Sequence, residues 1–126
     1  MNATELTTEE LTERKIGADM RKYLIGMGIY PSHAGYHYIV RSVIYIVMQG
    51  GKRTMLGQVY REVAAQMGVT AASVERGVRF VLSKCDERAI DRMNEYFGFR
   101  VFSYGGTLTA SEFIYLFADK FLQEMY

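Results

Sequence analysis

The sequence predicts an all-α protein, a bundle of about six helices that contains a helix-turn-helix. Apolar residues recur at helical spacing through most of the chain, for example at Val74, Val78 and Val81. Glycines and helix-capping residues divide these periodic stretches. The chain has 126 residues, 49% of them hydrophobic, and only one proline. That composition is typical of one domain with its own core and argues against extensive disorder.

The elements follow from these periodicities and from the residues between them. Residues 1–16 are polar. Thr8-Glu9-Glu10-Leu11 is compatible with the start of a short helix, but a frayed leader or docking arm is the favoured interpretation, so the domain is expected over residues 17–126. Helices are predicted, in order, from about Gly17 to Met27, from an N-cap at Ser32 to about Met48, from Leu56 to Met67, from Ala71 to Lys84, after a cap at Asp86 to about Phe97, and from Ser111 onward. Residues 98–109 predict a loop or a short hairpin.

Two helices are expected to supply much of the core. The expected buried residues are Tyr36, Ile39, Val40, Val43, Ile44 and Val47 in the second helix, and Phe113, Leu116, Phe117, Phe121 and Met125 in the last. Tyr36, Tyr38 and Tyr45 lie on differing faces of the second helix, which predicts that some of them are exposed.

Residues 59–81 have the layout of a DNA-reading helix-turn-helix. Val59, Val63 and Met67 form an apolar stripe on the first helix of this pair. Gly68 suits the left-handed conformation that ends many helices, and Thr70 is a good N-cap for the next helix.

The second helix of the pair has two contrasting faces. Its apolar side is expected in the core, with Cys85 beyond it as a buried structural thiol. The opposite side carries Ala72, Arg76 and Arg79, flanked by Ser73, Glu75 and Phe80. Arginine can pair with guanine in the major groove or hold a phosphate. From spacing alone, an ordinary pair of amphipathic helices with solvated charges explains the pattern equally well.

Charge is unevenly distributed along a chain whose formal net charge is only +1. Residues 52–84 hold six basic and two acidic residues, whereas residues 85–126 hold four basic and seven acidic ones. The local field near the helix-turn-helix, rather than the net charge, would attract phosphates. Lys52 and Arg53 would either touch a DNA backbone or lie in solvent.

Other chemistries are poorly supported. The segment Gly50-Gly51-Lys52-Arg53-Thr54 is not a phosphate loop. Ile46 stands where that motif has its first glycine, and Arg53 stands directly after the lysine, where the motif has Ser or Thr. His33 and His37 could supply two metal ligands at most, so we expect no metal site. No catalytic motif is present in the sequence, so we expect no cofactor and no enzymatic activity. One cysteine and no long apolar run predict a cytoplasmic protein without a membrane span.

Four segments together resemble one known family. They are GIYPSHAGYHYIVRSV (28–43), YREVAAQMGVTAASVERGVR (60–79), FGFRVF (97–102) and LTASEFIYLFADKF (108–121). In this order and spacing they resemble the C-terminal DNA-binding effector domain of the stage-zero sporulation response regulator, over about residues 20–122.

The resemblance implies a role for the second helix of the pair. Val74-Glu75-Arg76 and Arg79 match the family's recognition-helix core, in which the Glu and Arg residues face DNA. Ser73 stands where the family commonly has Arg, and Phe80 where it has His. Loss of an arginine that reads a base would cost about 1–3 kcal/mol of discrimination at one base pair. The target sequence is therefore expected to differ or to be looser.

The resemblance also implies partners. These are double-stranded DNA, a second copy of the chain bound at a neighbouring repeat of the same short DNA sequence (tandem boxes), and RNA polymerase or a full-length regulator. The residues before the similarity are too few for the family's phosphate-accepting receiver domain, so we expect a free-standing effector domain or an excised fragment. One alternative is a receiver-less interaction module that dimerises with or antagonises a full-length regulator. A further alternative is a sensor whose tyrosine-rich bundle holds a small ligand.

Overall fold

The computed structural model describes residues 5–52, 54–102 and 108–125. Within these ranges the chain forms six α-helices and no strand. They are α1 (Thr8–Gly26), α2 (Ala34–Met48), α3 (Leu56–Met67), α4 (Ala71–Ser83), α5 (Glu87–Phe97) and α6 (Ala110–Met125). The predicted all-α bundle is therefore confirmed.

Helix α2 is the centre of the bundle, because α1, α3, α4 and α6 all pack against it. Its composition suits this position, since polar side chains are few after Arg41 and most of its residues are apolar or aromatic. Ile39 and Val43 are fully buried on it. Ser42, its one buried polar residue, donates its hydroxyl to the Tyr38 carbonyl at 2.7 Å, so no polar group is left unpaired there.

The crossing of α2 and α4 is unusually close, and two glycines allow it. A Cβ atom built on Gly35 of α2 would overlap the carbonyl oxygen of Gly77 in α4. A Cβ atom on Gly77 would lie 2.8 Å from the ring of Tyr38. The absence of a Cβ at Gly35 therefore lets the two backbones approach this closely, and its absence at Gly77 leaves room for the Tyr38 ring. This contact sets the position of α4.

The first helix begins nine residues earlier than expected, at Thr8 rather than near Gly17. Thr7 caps it: its hydroxyl accepts from the Glu10 amide at 3.1 Å and also contacts the Glu10 carboxylate at 3.2 Å. This N-cap begins the helix without any apolar periodicity in its first turns. Ile16, 1% exposed, anchors the added turns to the bundle. The frayed leader is thus wrong for residues 8–16, while the division of the chain into leader and domain stays a prediction.

Two other helix starts also differ from expectation by one or two residues. The N-cap of α2 is His33 rather than Ser32, and it makes no side-chain capping bond. Helix α6 begins at Ala110 rather than Ser111, because the Thr109 hydroxyl accepts from the Glu112 amide at 3.2 Å. The predicted cap at Asp86 is confirmed, since its carboxylate accepts from the Ala89 amide at 3.1 Å.

Most of the predicted core is buried, with a few exceptions. Phe113, Phe117 and Phe121 are fully buried, but Leu116 and Val40 are half-buried. Met125 is 44% exposed, since the last turn of α6 extends beyond the core, and Met67 is 38% exposed at the end of α3. Tyr36 is buried as expected, but the expected exposure of some of the α2 tyrosines is wrong, because Tyr38 is also buried and Tyr45 is half-buried. Because other helices pack against α2 on several sides, more of its surface is buried than the single apolar face of an ordinary amphipathic helix.

We predict that Gly35→Ala destabilises the fold by about 1–3 kcal/mol, because the new methyl group overpacks the α2–α4 crossing. Urea unfolding followed by circular dichroism measures this change. The matched control is Gly17→Ala in α1, where an added Cβ meets no atom within 4 Å. That control should be stabilising by about 0.5–1 kcal/mol through helix propensity. Equal effects of the two substitutions would show that the crossing is not tight.

Candidate DNA interface

Helices α3 and α4 form the helix-turn-helix that the sequence predicts. Helix α3 ends at Gly68, which has φ 68° and ψ 33° in the left-handed region. The Val69 amide then donates to the Ala64 carbonyl at 3.0 Å and closes the turn. Thr70 is the N-cap of α4, and its hydroxyl accepts from the Ser73 amide at 3.1 Å. These local signals fix the angle at which the chain enters α4.

Helix α4 separates apolar and polar residues by face. Its buried residues are Val74, Val78, Val81 and Leu82. The predicted site residues on the other side are exposed, namely Ala72, Glu75, Arg76, Arg79 and Phe80. The structure therefore places five of the proposed contacts on one solvent-facing side of a single helix. Ser73, at the edge of this side, is half-buried.

A short chain of hydrogen bonds occupies the first turn of α4. Thr70 donates its hydroxyl to Ser73 Oγ at 2.9 Å, and Arg76 Nη2 donates to the same oxygen at 3.4 Å. Ser73 thus holds the Arg76 guanidinium near the N-terminus of α4. The amides of Ala71 and Ala72 lie in the same turn, where a helix presents unpaired N–H groups and the positive end of its dipole.

Glu75 pairs with Arg79, at 3.4 Å between Oε1 and Nη1. Both side chains are well exposed, 58% and 68% respectively, so the pair contributes little to stability and can be broken. The hydrogen bonds of the described residues pair Glu75 with Arg79, whereas Arg76 donates to Ser73. Arg79 thus has an internal counter-charge.

The Phe80 ring on α4 lies next to two other side chains, those of Lys84 and His33. Its ring is 49% exposed, with Lys84 Nζ 5.2 Å from the ring centroid and the His33 ring 5.8 Å away. Sequence reasoning missed Lys84 and His33 as neighbours of the site. The four-residue spacing of Phe80 and Lys84 could have indicated the first pair. The second depends on the α2–α4 crossing, which no local pattern reveals.

Lys52 and Arg53 were expected either to contact a DNA backbone or to lie in solvent. Lys52 is exposed in the loop between α2 and α3, and thus on a different element from the other site residues. Arg53 lies outside the described residues.

His37 and Cys85, which are residue types used in metal binding and catalysis, both contact backbone carbonyl groups. The His37 ring nitrogen Nε2 is 2.8 Å from the Pro31 carbonyl oxygen. Cys85 is half-buried and its thiol contacts the Val81 carbonyl at 3.7 Å. Burial raises the pKa of Cys85 to about 11, so the thiol stays protonated at neutral pH, as expected of a structural cysteine. Among the described residues, no group of three or more His, Cys, Asp or Glu side chains could hold a metal ion.

None of the helices in the described part of the chain is long and apolar enough to cross a bilayer.

Fold and site together define a helix-turn-helix domain whose second helix exposes two arginines, Arg76 and Arg79. The family model described as "Sporulation initiation factor Spo0A C terminal" matches residues 20–121. The chain belongs to this family, which supports a DNA-binding domain of a transcription regulator. The family is one of DNA-binding domains, not of enzymes. The resemblance seen in the four sequence segments is confirmed, and the match begins within α1.

The Thr70 cap gives a direct test of the turn. We expect Thr70→Ala to destabilise the protein by about 0.5–2 kcal/mol, because the Ser73 amide and hydroxyl both lose their partner. Thr70→Ser keeps a hydroxyl at this position and should restore most of the stability. Thermal unfolding of the three proteins measures the series. A Thr70→Ala protein as stable as the parent would contradict the capping geometry.

Proposed function

We propose that this chain is a sequence-specific duplex DNA-binding domain that inserts α4, about residues 71–84, into the major groove. The observation that carries the proposal is the exposed face of α4, which presents Arg76, Arg79 and Glu75 on a helix fixed by its cap and by the Gly35–Gly77 crossing. A recognition helix needs this combination of rigid placement and free polar side chains.

Arg76 is the residue proposed to contact a base edge. It lies in the N-terminal half of α4, the part of a recognition helix that reaches the bases in helix-turn-helix complexes. Its link to Ser73 is long, at 3.4 Å, so a guanine could replace it with two short hydrogen bonds. Glu75 would accept a hydrogen bond from a cytosine amino group, and the methyl of a thymine would suit Phe80 or Ala72.

The remaining contacts would position the protein on the phosphates. Arg79, released from Glu75, would join Ser73, Lys52 and Arg53 in this role. Thr70 and the first amides of α4 would hold one phosphate at the helix N-terminus. The excess of basic residues between positions 52 and 84 supports this arrangement, since positive charge in this segment attracts phosphates.

Assembly is part of the proposal. One module of this size makes few base contacts, so two copies on tandem boxes would gain affinity through effective concentration. We further propose that the protein acts in the cytoplasm, with RNA polymerase or a full-length regulator as a protein partner.

A second candidate function is a protein-interaction module that dimerises with or antagonises a full-length regulator. Two observations favour it: Ser73 replaces an arginine expected from the family, and Glu75 partly neutralises Arg79. This candidate predicts capture of a full-length regulator in the absence of DNA and no preference for a specific duplex. The first candidate predicts that preference.

The main test uses a preferred duplex selected from a random library and a scrambled duplex of the same composition. We predict that Arg76→Ala lowers the preference for the selected duplex by about 1–3 kcal/mol, because one bidentate base contact is lost. Fluorescence anisotropy at fixed salt gives both affinities. Arg92→Ala is the matched control, since Arg92 is an exposed arginine of α5 paired with Glu95 at 3.3 Å. An unchanged preference in Arg76→Ala would overturn the assignment of Arg76.

Salt dependence separates phosphate contacts from base contacts. With about four to six neutralised phosphates, the slope of log affinity against log salt should be roughly −4 to −5. Lys52→Ala should weaken binding to the selected and the scrambled duplex alike and make the slope shallower by about one. A wild-type protein that does not distinguish the two duplexes at physiological salt would contradict sequence-specific binding.

A further inference from the structure

Basic side chains continue from the exposed side of α4 onto the segment that follows it. Phe80 lies one helical turn after Arg76 on that side, and Lys84 Nζ is 5.2 Å from the centroid of the Phe80 ring. Lys84 is the C-cap of α4, and it lines a cleft of about 290 Å³ between the end of α1 and the start of α5. The exposed side of α4 and this cleft therefore form one continuous surface.

The charged residues of this cleft are mainly basic. Lys84, Arg88 and Arg92 line it and are exposed, and Asp86 is the one acidic residue of the described lining. The Asp86 carboxylate already accepts a hydrogen bond at the N-terminus of α5, and Arg92 is paired with Glu95. Lys84 and Arg88 form no ion pair with any residue that the structure describes, so their charges can attract an external anion.

The position of Lys84 on α4 indicates which anion this is. Arg76 and Lys84 are eight residues apart, a distance of about 12 Å along the helix axis. The major groove of DNA is also about 12 Å wide, and the N-terminal half of a recognition helix is the part that meets the bases. If α4 enters the groove as proposed, its C-terminal end therefore lies at the border of the groove, where the nearest groups of DNA are backbone phosphates.

We propose that Lys84 and Arg88 form a second phosphate-binding surface, which contacts the DNA backbone outside the base pairs that α4 reads. The two side chains are positioning residues, because phosphate contacts add affinity and fix orientation but carry no sequence information. The inference rests on the proposed function, since it requires α4 to lie in the major groove. It extends the interface from the helix-turn-helix to the start of α5.

The test compares two duplexes that carry the same selected site. The short duplex ends with the site, and the long duplex extends it by about five base pairs, half a helical turn, on each side. Affinity falls with salt to the power of about 0.9 per phosphate contact, so each contact contributes about fivefold at about 0.15 M salt. By fluorescence anisotropy, Lys84→Gln combined with Arg88→Gln should bind the long duplex about thirtyfold more weakly than wild-type protein does. Its affinity for the short duplex should be nearly unchanged.

Two further double variants separate a local contact from a general effect of charge. Lys15→Gln combined with Lys120→Gln removes the same two charges away from the cleft, at lysines that are paired with Asp19 and Glu124. This control should bind both duplexes as wild-type protein does. Lys84→Arg combined with Arg88→Lys keeps both charges and should retain binding to the long duplex. All variants should keep the wild-type preference for the selected over a scrambled site.

The proposal is overturned if wild-type protein prefers the selected site but the Lys84 and Arg88 double variant binds the long duplex as tightly as the control variant. That result would leave the proposed function intact. An equal loss of affinity for both duplexes would also overturn it, because the contacts would then lie within the site. A wild-type protein without any preference for the selected site would instead contradict the proposed function, and this inference with it.

Discussion

The close approach of α2 and α4 at Gly35 and Gly77 is the constraint on which the rest of the structure depends. It places the buried valines of α4 against the central helix, and in doing so turns Arg76, Arg79 and Phe80 toward solvent. The same crossing brings His33, at the start of α2, beside Phe80. A larger residue at either glycine would push α4 outward and move every side chain of the proposed interface together, since core packing transmits such shifts.

The proposed interface combines strong local anchoring with weak internal contacts. Thr70 and Gly68 fix the first turn of α4, whereas the ion pair of Glu75 and Arg79 is exposed and long. This combination is suited to recognition, because the backbone is held while the side chains remain free to exchange partners. A net charge of +1 is compatible with DNA binding, since six of the basic residues and only two acidic ones lie between positions 52 and 84.

Much of this arrangement could be predicted from the sequence, because its signals are local. The glycine that ends α3, the threonine that caps α4 and the aspartate that caps α5 each act within four residues, and all three were identified correctly. Features that depend on packing between distant segments could not be predicted. The burial of Tyr38 and the neighbours of Phe80 both require the positions of other helices. The early start of α1 was missed because a polar helix anchored by Ile16 has little apolar periodicity.

The central claim is that the exposed face of α4 contacts DNA, and NMR mapping of a duplex titration tests it most directly. Backbone amide shifts recorded with the selected duplex should be largest from Thr70 to Phe80 and at Lys52, and small along α6. That result would place DNA against α4 without relying on any substitution. Shifts concentrated on the acidic C-terminal part of the chain, or no saturable shifts at all, would contradict the account.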